Sequence, residues 1–287
     1  MLPPGYRGHS EIAAAIRRLP GAYELGHSVD HIPILAASFG PVTADRVSIV
    51  IAGLHAIEWI GVETAVALTE RLAKAPPPDR RVIVVALANP DGYRAIETDL
   101  WQGRRRFRRT NARGVDLNRN WATDFLPRRK RIAGFNWPGP SPYSEPEVAA
   151  IVRMLDREVA AGAQIDTALS LHSFGRKLLV PHGARWRRPL RYRELHERAG
   201  HIQARLSERY TISQVSRWVP GAFACGIEID DLHERYGACA LLVECSLGGL
   251  SRDPSTWLSP FHWFNPRRPS LVAADIARAI DPFVRGA

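Results

Sequence analysis

Apolar and polar positions along this chain follow two periods, and the switches between them mark out its elements. Apolar residues recur at helical spacing from Glu11 to Arg18, predicting a short helix, and Pro33 to Ser38 reads as a strand. Val47 to Ala52 is an unbroken apolar run, the pattern of a strand covered on both faces, and Gly53-Leu54-His55 follows at once. Helical spacing returns from Trp59 to Leu72 and ends before Pro76-Pro77-Pro78, and Val82 to Ala88 is a second buried strand. Strand, helix and strand joined by short connections predict a parallel α/β sheet.

From Asn89 to Tyr143 the chain is rich in Gly, Pro, Asn and Arg and has little periodicity, so a long loop is expected, of the kind that carries function. Regular structure resumes at Ser144-Glu145-Pro146-Glu147, with Ser144 as N-cap, Pro146 in the first turn and Glu147 at the capping-box position. That helix should reach about Ala161. Ile165 to Leu171 is a third buried strand, Leu190 to Arg209 a long helix, Ala238 to Val243 a fourth buried strand, and Ser270 to Ile280 a closing helix. There is no internal repeat, low-complexity tract or linker, so a single domain over 1–287 is expected.

A chain of 287 residues that is 45% hydrophobic can bury a large core. No run approaches the roughly 18 apolar residues of a membrane span. Met1 to Ser10 holds Pro, Gly, Arg and His, and Ile12 to Ile16 is too short for a secretory core, so a cytoplasmic protein without membrane contact is expected. Cys225, Cys239 and Cys245 are odd in number and lack the close pairs of zinc ribbons or redox motifs. Cys245 follows Glu244, but at the end of an apolar strand it reads as a small core residue, not a nucleophile.

Net charge is +10, carried almost wholly by arginine, since Lys74, Lys130 and Lys177 are the only lysines. The densest basic stretches are Arg104 to Arg113, Arg128 to Arg131, and Arg185 to Arg193, the last interleaved with Trp186 and Tyr192. Basic and aromatic residues together can bind a single strand, which makes a nucleic-acid-binding protein the rival from another class. In an arginine-rich chain such stretches are more often a solvated face.

The chemistry sits at predicted strand ends, where an open parallel sheet binds its ligands. His55 follows the first buried strand with Glu58 three residues on, His172 ends the third strand, and Glu244 ends the fourth. A catalytic zinc site needs three protein ligands and one open position. His55, Glu58 and His172 supply such a set, and Glu244 is then free to take a proton from water activated there. Each piece alone has a plainer reading: a His-x-x-Glu pair arises by chance, and a histidine at a strand end is usually just hydrogen-bonded. A carboxylate following Ala240-Leu241-Leu242-Val243 is harder to dismiss, because burying it unpaired is costly.

With these residues in view, the stretch from about Pro33 to Gly248 resembles the zinc carboxypeptidase family. The likeness is carried in order by Gly53-Leu54-His55-Ala56-Ile57-Glu58-Trp59-Ile60, Asn89-Pro90-Asp91-Gly92-Tyr93, Gly114-Val115-Asp116-Leu117-Asn118-Arg119-Asn120-Trp121, Ser144-Glu145-Pro146-Glu147 and Leu169-Ser170-Leu171-His172-Ser173. The resemblance implies a central mixed, mostly parallel sheet flanked by helices, and one zinc ion per chain. It further implies that Asn118 and Arg119 hold the terminal carboxylate of a peptide and that Arg109 stabilises the oxyanion, with Arg108 as the alternative. Part of the basic cluster would then serve an anionic substrate, which weakens the nucleic-acid reading.

One departure bears on the substrate. The family usually places a tyrosine over the substrate from a mobile loop, and there is none between Trp218 and Asp231; Tyr210 and Tyr236 lie outside that place. Pro220-Gly221-Ala222-Phe223 is instead similar to a compact intracellular branch that trims γ-D-glutamyl bonds in murein peptides. The expectation is a zinc metallopeptidase acting beside a free C-terminal carboxylate, with an acyl-amino-acid deacylase of the aspartoacylase type as the alternative. Counting back from Glu244 puts Ile229 where the family reads the terminal side chain, suggesting an apolar or neutral residue. Glu228, Asp230 and Asp231 flank it and could instead favour a basic residue or diaminopimelate.

Overall fold

The apolar runs become neighbouring strands of one sheet. In the computed structural model, which describes residues 2–129, 134–218, 221, 223–249 and 256–287, the order is α1 (His9–Arg17), β1 (Ala22–His27), β2 (Pro33–Phe39), β3 (Arg46–Ala52), α2 (Trp59–Lys74), β4 (Arg81–Val85), α3 (Pro90–Trp101), α4 (Pro146–Ala160), β5 (Gln164–His172), β6 (Lys177–Val180), α5 (Tyr192–Gln203), β7 (Thr211–Gln214), α6 (Val215–Trp218), α7 (Glu228–Tyr236), β8 (Cys239–Glu244), α8 (Pro260–Phe264) and α9 (Pro269–Val284). Of the residues singled out above, Lys130, Arg131, Pro220 and Ala222 lie outside this description.

The eight strands form one sheet in the order β1-β2-β4-β3-β5-β8-β6-β7. The centre, β4-β3-β5-β8, is parallel, as is the β6-β7 pair, whereas β1-β2, β2-β4 and β6-β8 are antiparallel. The expected mixed, mostly parallel sheet is therefore present. Side chains of β3 alternate between two cores. Val50 and Ala52 join α2, α5 and α9 on one face, while Val47, Ile49 and Ile51 join α4 and α7 on the other. Helices on both faces are why β3, β5 and β8 read as continuous apolar runs.

Several boundaries differ from the sequence reading. The expected loop after Asn89 opens with helix α3: the Asn89 side chain accepts from the Gly92 N–H at 2.9 Å, and Pro90 occupies the first turn. Asn, Pro and Gly are start signals there, and only Tyr93 and Ile96 among its large apolar residues are buried, so the periodicity is faint. Helix α4 is capped by Glu145, not Ser144; the Ser144 hydroxyl donates to the Glu145 carboxylate at 2.9 Å and accepts from Asn120. The helix expected over Leu190–Arg209 is confined to α5 because the chain turns back into β7. Edge strands β1 and β7, their inner neighbour β6 and helix α7 gave no clear pattern, being short or, for α7, rich in buried acids.

The sheet fixes the candidate site by register. His172 on β5 pairs with Glu244 on β8, and Leu171 pairs with Ala52 at the end of β3, so three neighbouring parallel strands end together.

Candidate metal centre

Beyond Ala52 the chain turns at Gly53, whose φ of +69° is a left-handed conformation that costs glycine little. A Cβ there would also lie 2.9 Å from Leu87 Cδ1. The turn carries His55 over the strand ends, and Glu58 caps α2 on the same side. His172 arrives from the end of β5. One ligand-capable atom from each of His55, Glu58 and His172 lies within 4.8 Å of the other two, and all three side chains are buried.

The contacts are short. His55 Nδ1 lies 2.8 Å from Glu58 Oε1, His172 Nδ1 lies 2.9 Å from Glu58 Oε2, and the two Nδ1 atoms are 3.0 Å apart. Two lone pairs cannot face each other at that distance without a positive charge to relieve them. Behind the rings, His55 Nε2 meets Asp116 Oδ1 at 3.1 Å and His172 Nε2 meets Glu228 Oε1 at 2.8 Å. Carboxylates on the far nitrogens fix the tautomer that presents Nδ1, as the outer ligands of metal-bound histidines do. Two imidazole nitrogens and a carboxylate with an open side toward a cavity suit zinc.

The electrostatics favour a cation at the same point. Burial would lower the His172 pKa, but Glu228 and Glu58 outweigh it and raise it to about 10. Burial would raise Glu58, yet His55 and His172 hold it well below the usual carboxylate range. Asp116, likewise opposed by burial, is held well below its ordinary value by Arg109, His55 and Arg119.

Glu244 is buried in the wall of the cavity, and its Oε2 has no hydrogen-bond partner among the described residues. Burial, reinforced by the charge of Glu58, pushes its pKa well above that of an ordinary glutamate. Arg109 lines the cavity too: its Nε donates to Asp116 Oδ2 at 2.8 Å, and Nη1 lies 3.6 Å from Glu58 Oε1. Arg108 turns away and pairs with Asp99 at 2.5 Å, outside the cavity. Asn118 and Arg119 both reach the cavity, the Asn118 amide bridging His172 Nε2 at 3.3 Å and the Glu228 N–H at 3.1 Å.

The Ser144-Glu145-Pro146-Glu147 string clamps this arrangement from behind. Glu145 Oε2 accepts from Asn111 at 2.7 Å, and its N–H donates to the Asn120 side chain at 3.1 Å. The segments carrying Arg109 and Arg119 are thus tied to the start of one helix.

The cavity has a volume of about 340 Å³. Its lining is otherwise largely apolar, including Leu179, Val215, Ala224, Ile227 and Leu242 together with Trp218, Phe223 and Phe264. Ile229 is not part of it and lies in the core between α7 and the sheet. Nor do the flanking acids reach it. Glu228 meets Ser170 and His172, Asp230 accepts from the Gly183 N–H, and Asp231 accepts from Thr123 and Tyr143. The cause is helical: α7 begins at Glu228 and turns the following side chains inward.

Sequence reasoning assigned no role to Asp116 and Glu228 beneath the histidines. Asp116 stood in the quoted string two residues before Asn118 and was a findable signal. Glu228 is distant in sequence from His172, and only the docking of α7 brings them together. Cys245 is fully buried with its thiol pushed up by burial, as suits a core residue.

A sequence description of the zinc carboxypeptidase family matches residues 9–240. Carboxypeptidase A5 of Macaca fascicularis is 29% identical over 206 residues, covering 67% of this chain and 45% of that protein. The chain spans about half the length of the curated relatives it matches. Among solved structures, thrombin activatable fibrinolysis inhibitor shares the fold with a TM-score of 0.72 at 22% identity, over 98% of this chain and 75% of that one. Murein-tripeptide amidase MpaA from Escherichia coli O157 shares it with a TM-score of 0.54 at 20% identity, over 95% of this chain and 97% of that one. Two histidines and a glutamate meeting at the strand ends of this sheet, within a sequence matched over most of its length, make the chain a member of the zinc carboxypeptidase family.

Proposed function

We propose that the protein is a metallopeptidase that hydrolyses the amide bond before a free terminal carboxylate, on peptides whose last side chain is apolar or neutral. The observation that carries this reading is the cavity itself. The His55, Glu58 and His172 cluster, an unpartnered Glu244 oxygen and two guanidiniums share one opening, and the rest of its lining is largely apolar.

His55, Glu58 and His172 would hold a zinc ion, and that ion would supply Lewis acidity at the opening of the cavity. Arg119 and Asn118 bind the substrate's terminal carboxylate, the arginine through its planar fork. Glu244 accepts a proton from the attacking water on its free oxygen and delivers it to the departing amine, so that one amide and one water give one carboxylate and one amine. Arg109, with Nε held by Asp116, turns its remaining N–H groups to the charge that develops on the carbonyl oxygen. Leu179, Ile227 and Leu242 receive the terminal side chain.

A second reading is a γ-D-glutamyl amidase. It rests on the absence of tyrosine between Trp218 and Asp231 and on half-exposed Phe223 in the cavity wall. Diaminopimelate, however, would bring charges to an apolar wall, so the apolar terminal residue is favoured. Nucleic-acid binding gains no support from the basic stretches, where Arg104 and Arg108 pair with Asp99, Arg185 pairs with Asp124 and Arg217 stacks on Trp186. The three cysteines are free thiols, and among the described residues no helix is long and apolar enough to cross a membrane.

The test pairs zinc content with a substrate panel: an acylated dipeptide ending in Leu or Phe, a γ-D-glutamyl peptide and a simple acyl-amino acid. Wild type should cut the first fastest, and Glu244→Gln should lose at least 100-fold in kcat while keeping its zinc, the scale of general acid–base catalysis. Failure of zinc-loaded wild type on every member of the panel would overturn the proposal.

A further inference from the structure

Outside this cavity a second group of ligand-capable side chains converges. One atom each from Asp124, His182 and Asp230 lies within 4.8 Å of the other two. Bonds of roughly 2.0–2.2 Å around one ion hold ligand atoms about 3–4.4 Å apart, so this spacing needs little closing. His182 and Asp230 are almost wholly buried, at 1% and 0% exposure, and Asp124 is half-buried. His182 Nδ1 has no hydrogen-bond partner among the described residues, while Nε2 faces Glu234 Oε1 at 3.3 Å. This repeats the first centre's arrangement, a carboxylate on one ring nitrogen and the other nitrogen left to donate.

The charges do not balance as they stand. Arg185 pairs with Asp124 at 2.8 Å and approaches Glu234 at 3.5 Å. Asp230 receives only backbone N–H groups, from Gly183 at 2.8 Å and 3.1 Å and from Ala184, and makes no ion pair among the described residues. One guanidinium thus faces three carboxylates. A divalent cation would supply the missing charge among the gathered ligand atoms of Asp124, His182 and Asp230.

We propose that Asp124, His182 and Asp230 hold a divalent metal ion of the zinc class, separate from the one at His55, Glu58 and His172, which fastens the wall of the substrate cavity. The donor set selects the metal: one imidazole with two carboxylates suits zinc, whereas calcium takes oxygen alone.

The three ligand-bearing segments are those that build the cavity wall. Asp230 sits in α7, just beyond Ile227; the Gly183 carbonyl next to His182 accepts from the N–H of Ala224; and Asp124 follows Trp121, whose N–H donates to Gly226. An ion joining them fixes Ile227, Ala224 and the segment after Arg119 relative to one another.

The test is zinc stoichiometry by elemental mass spectrometry on the full chain, after reconstitution and removal of loose metal. Asp124→Ala changes a half-buried loop residue and should bind one equivalent fewer than wild type. His182→Gln should do the same, with both variants matching wild type in Tm when all three are measured in chelator. His172→Ala separates the two centres, since it should lose the other equivalent and still show a zinc-dependent rise in Tm that Asp124→Ala abolishes when added to it. If Asp124→Ala and His182→Gln hold as much zinc as wild type, the proposal is overturned, whatever His172→Ala shows. If His172→Ala changes nothing while Asp124→Ala loses an equivalent, this site stands and the reading of the first centre fails.

Discussion

Two buried acids show how much single residues carry here. Asp116 takes the back nitrogen of His55 and the guanidinium of Arg109 at once. Asp116→Asn should therefore weaken zinc binding about 10- to 100-fold, the usual effect of losing such an outer partner, read by competition with a chelator. Glu147 is fully buried at the start of α4, and burial raises its pKa to about 7. Unfolded, it would titrate near 4.3. Below that pH both states are protonated and the residue contributes nothing. Between there and about 7 the folded state binds more protons, so stability falls as pH rises, by a total on the order of 3 kcal/mol. Urea titrations from pH 4.5 to 8 should show the fall in wild type and a flatter profile in Glu147→Gln.

At the scale of elements, strand register and helix approach hold the ligands. Helix α2 lies so close to β5 that a Cβ on Gly61 would come 2.7 Å from the Leu171 carbonyl oxygen, one residue before His172. The obstacle is backbone and cannot swing aside. Gly61→Ala should destabilise by about 1–3 kcal/mol in a denaturant titration and also weaken zinc binding, because α2 carries Glu58 at its start. A change in stability alone, with zinc affinity intact, would show that the helix moves as a unit without disturbing the centre. Gly226, at φ +64° with the Arg119 carbonyl 2.4 Å from where its Cβ would sit, fixes the loop opposite in the same way.

For the whole molecule, metal and fold are linked. The first centre gathers two histidines and three carboxylates, Glu58, Asp116 and Glu228, with Glu244 close by, and all of these side chains are buried. Chelation leaves these groups without their cation, so the Tm of metal-free protein should fall and recover with added zinc. At free zinc 100 times the dissociation constant the stabilisation is about 2.7 kcal/mol for one site. A Tm indifferent to chelator and zinc would show that nothing binds preferentially to the folded chain. Many arginines are paired with acids, as Arg7 with Glu63 and Arg80 with Asp166, which holds those side chains to the protein's own surface, while the net excess of +10 remains.

The sequence by itself determined the parallel centre of the sheet and the residues at its strand ends. Continuous apolar runs arise when both faces of a strand are covered, and polar residues that interrupt them need a reason to be there. His55, Glu58, His172 and Glu244 were legible on that ground. The edge strands, helix α3 and the cap of α4 were not, because short half-buried segments carry little periodicity and Asn, Pro and Gly begin helices as readily as they fill loops. What only the tertiary structure decided are the meetings between distant segments: Glu228 beneath His172, Ile227 in place of Ile229 at the cavity, and Asp124 beside His182 and Asp230. Each depends on how α7 docks against the sheet, and docking is set by packed surfaces whose partners lie far apart in the chain.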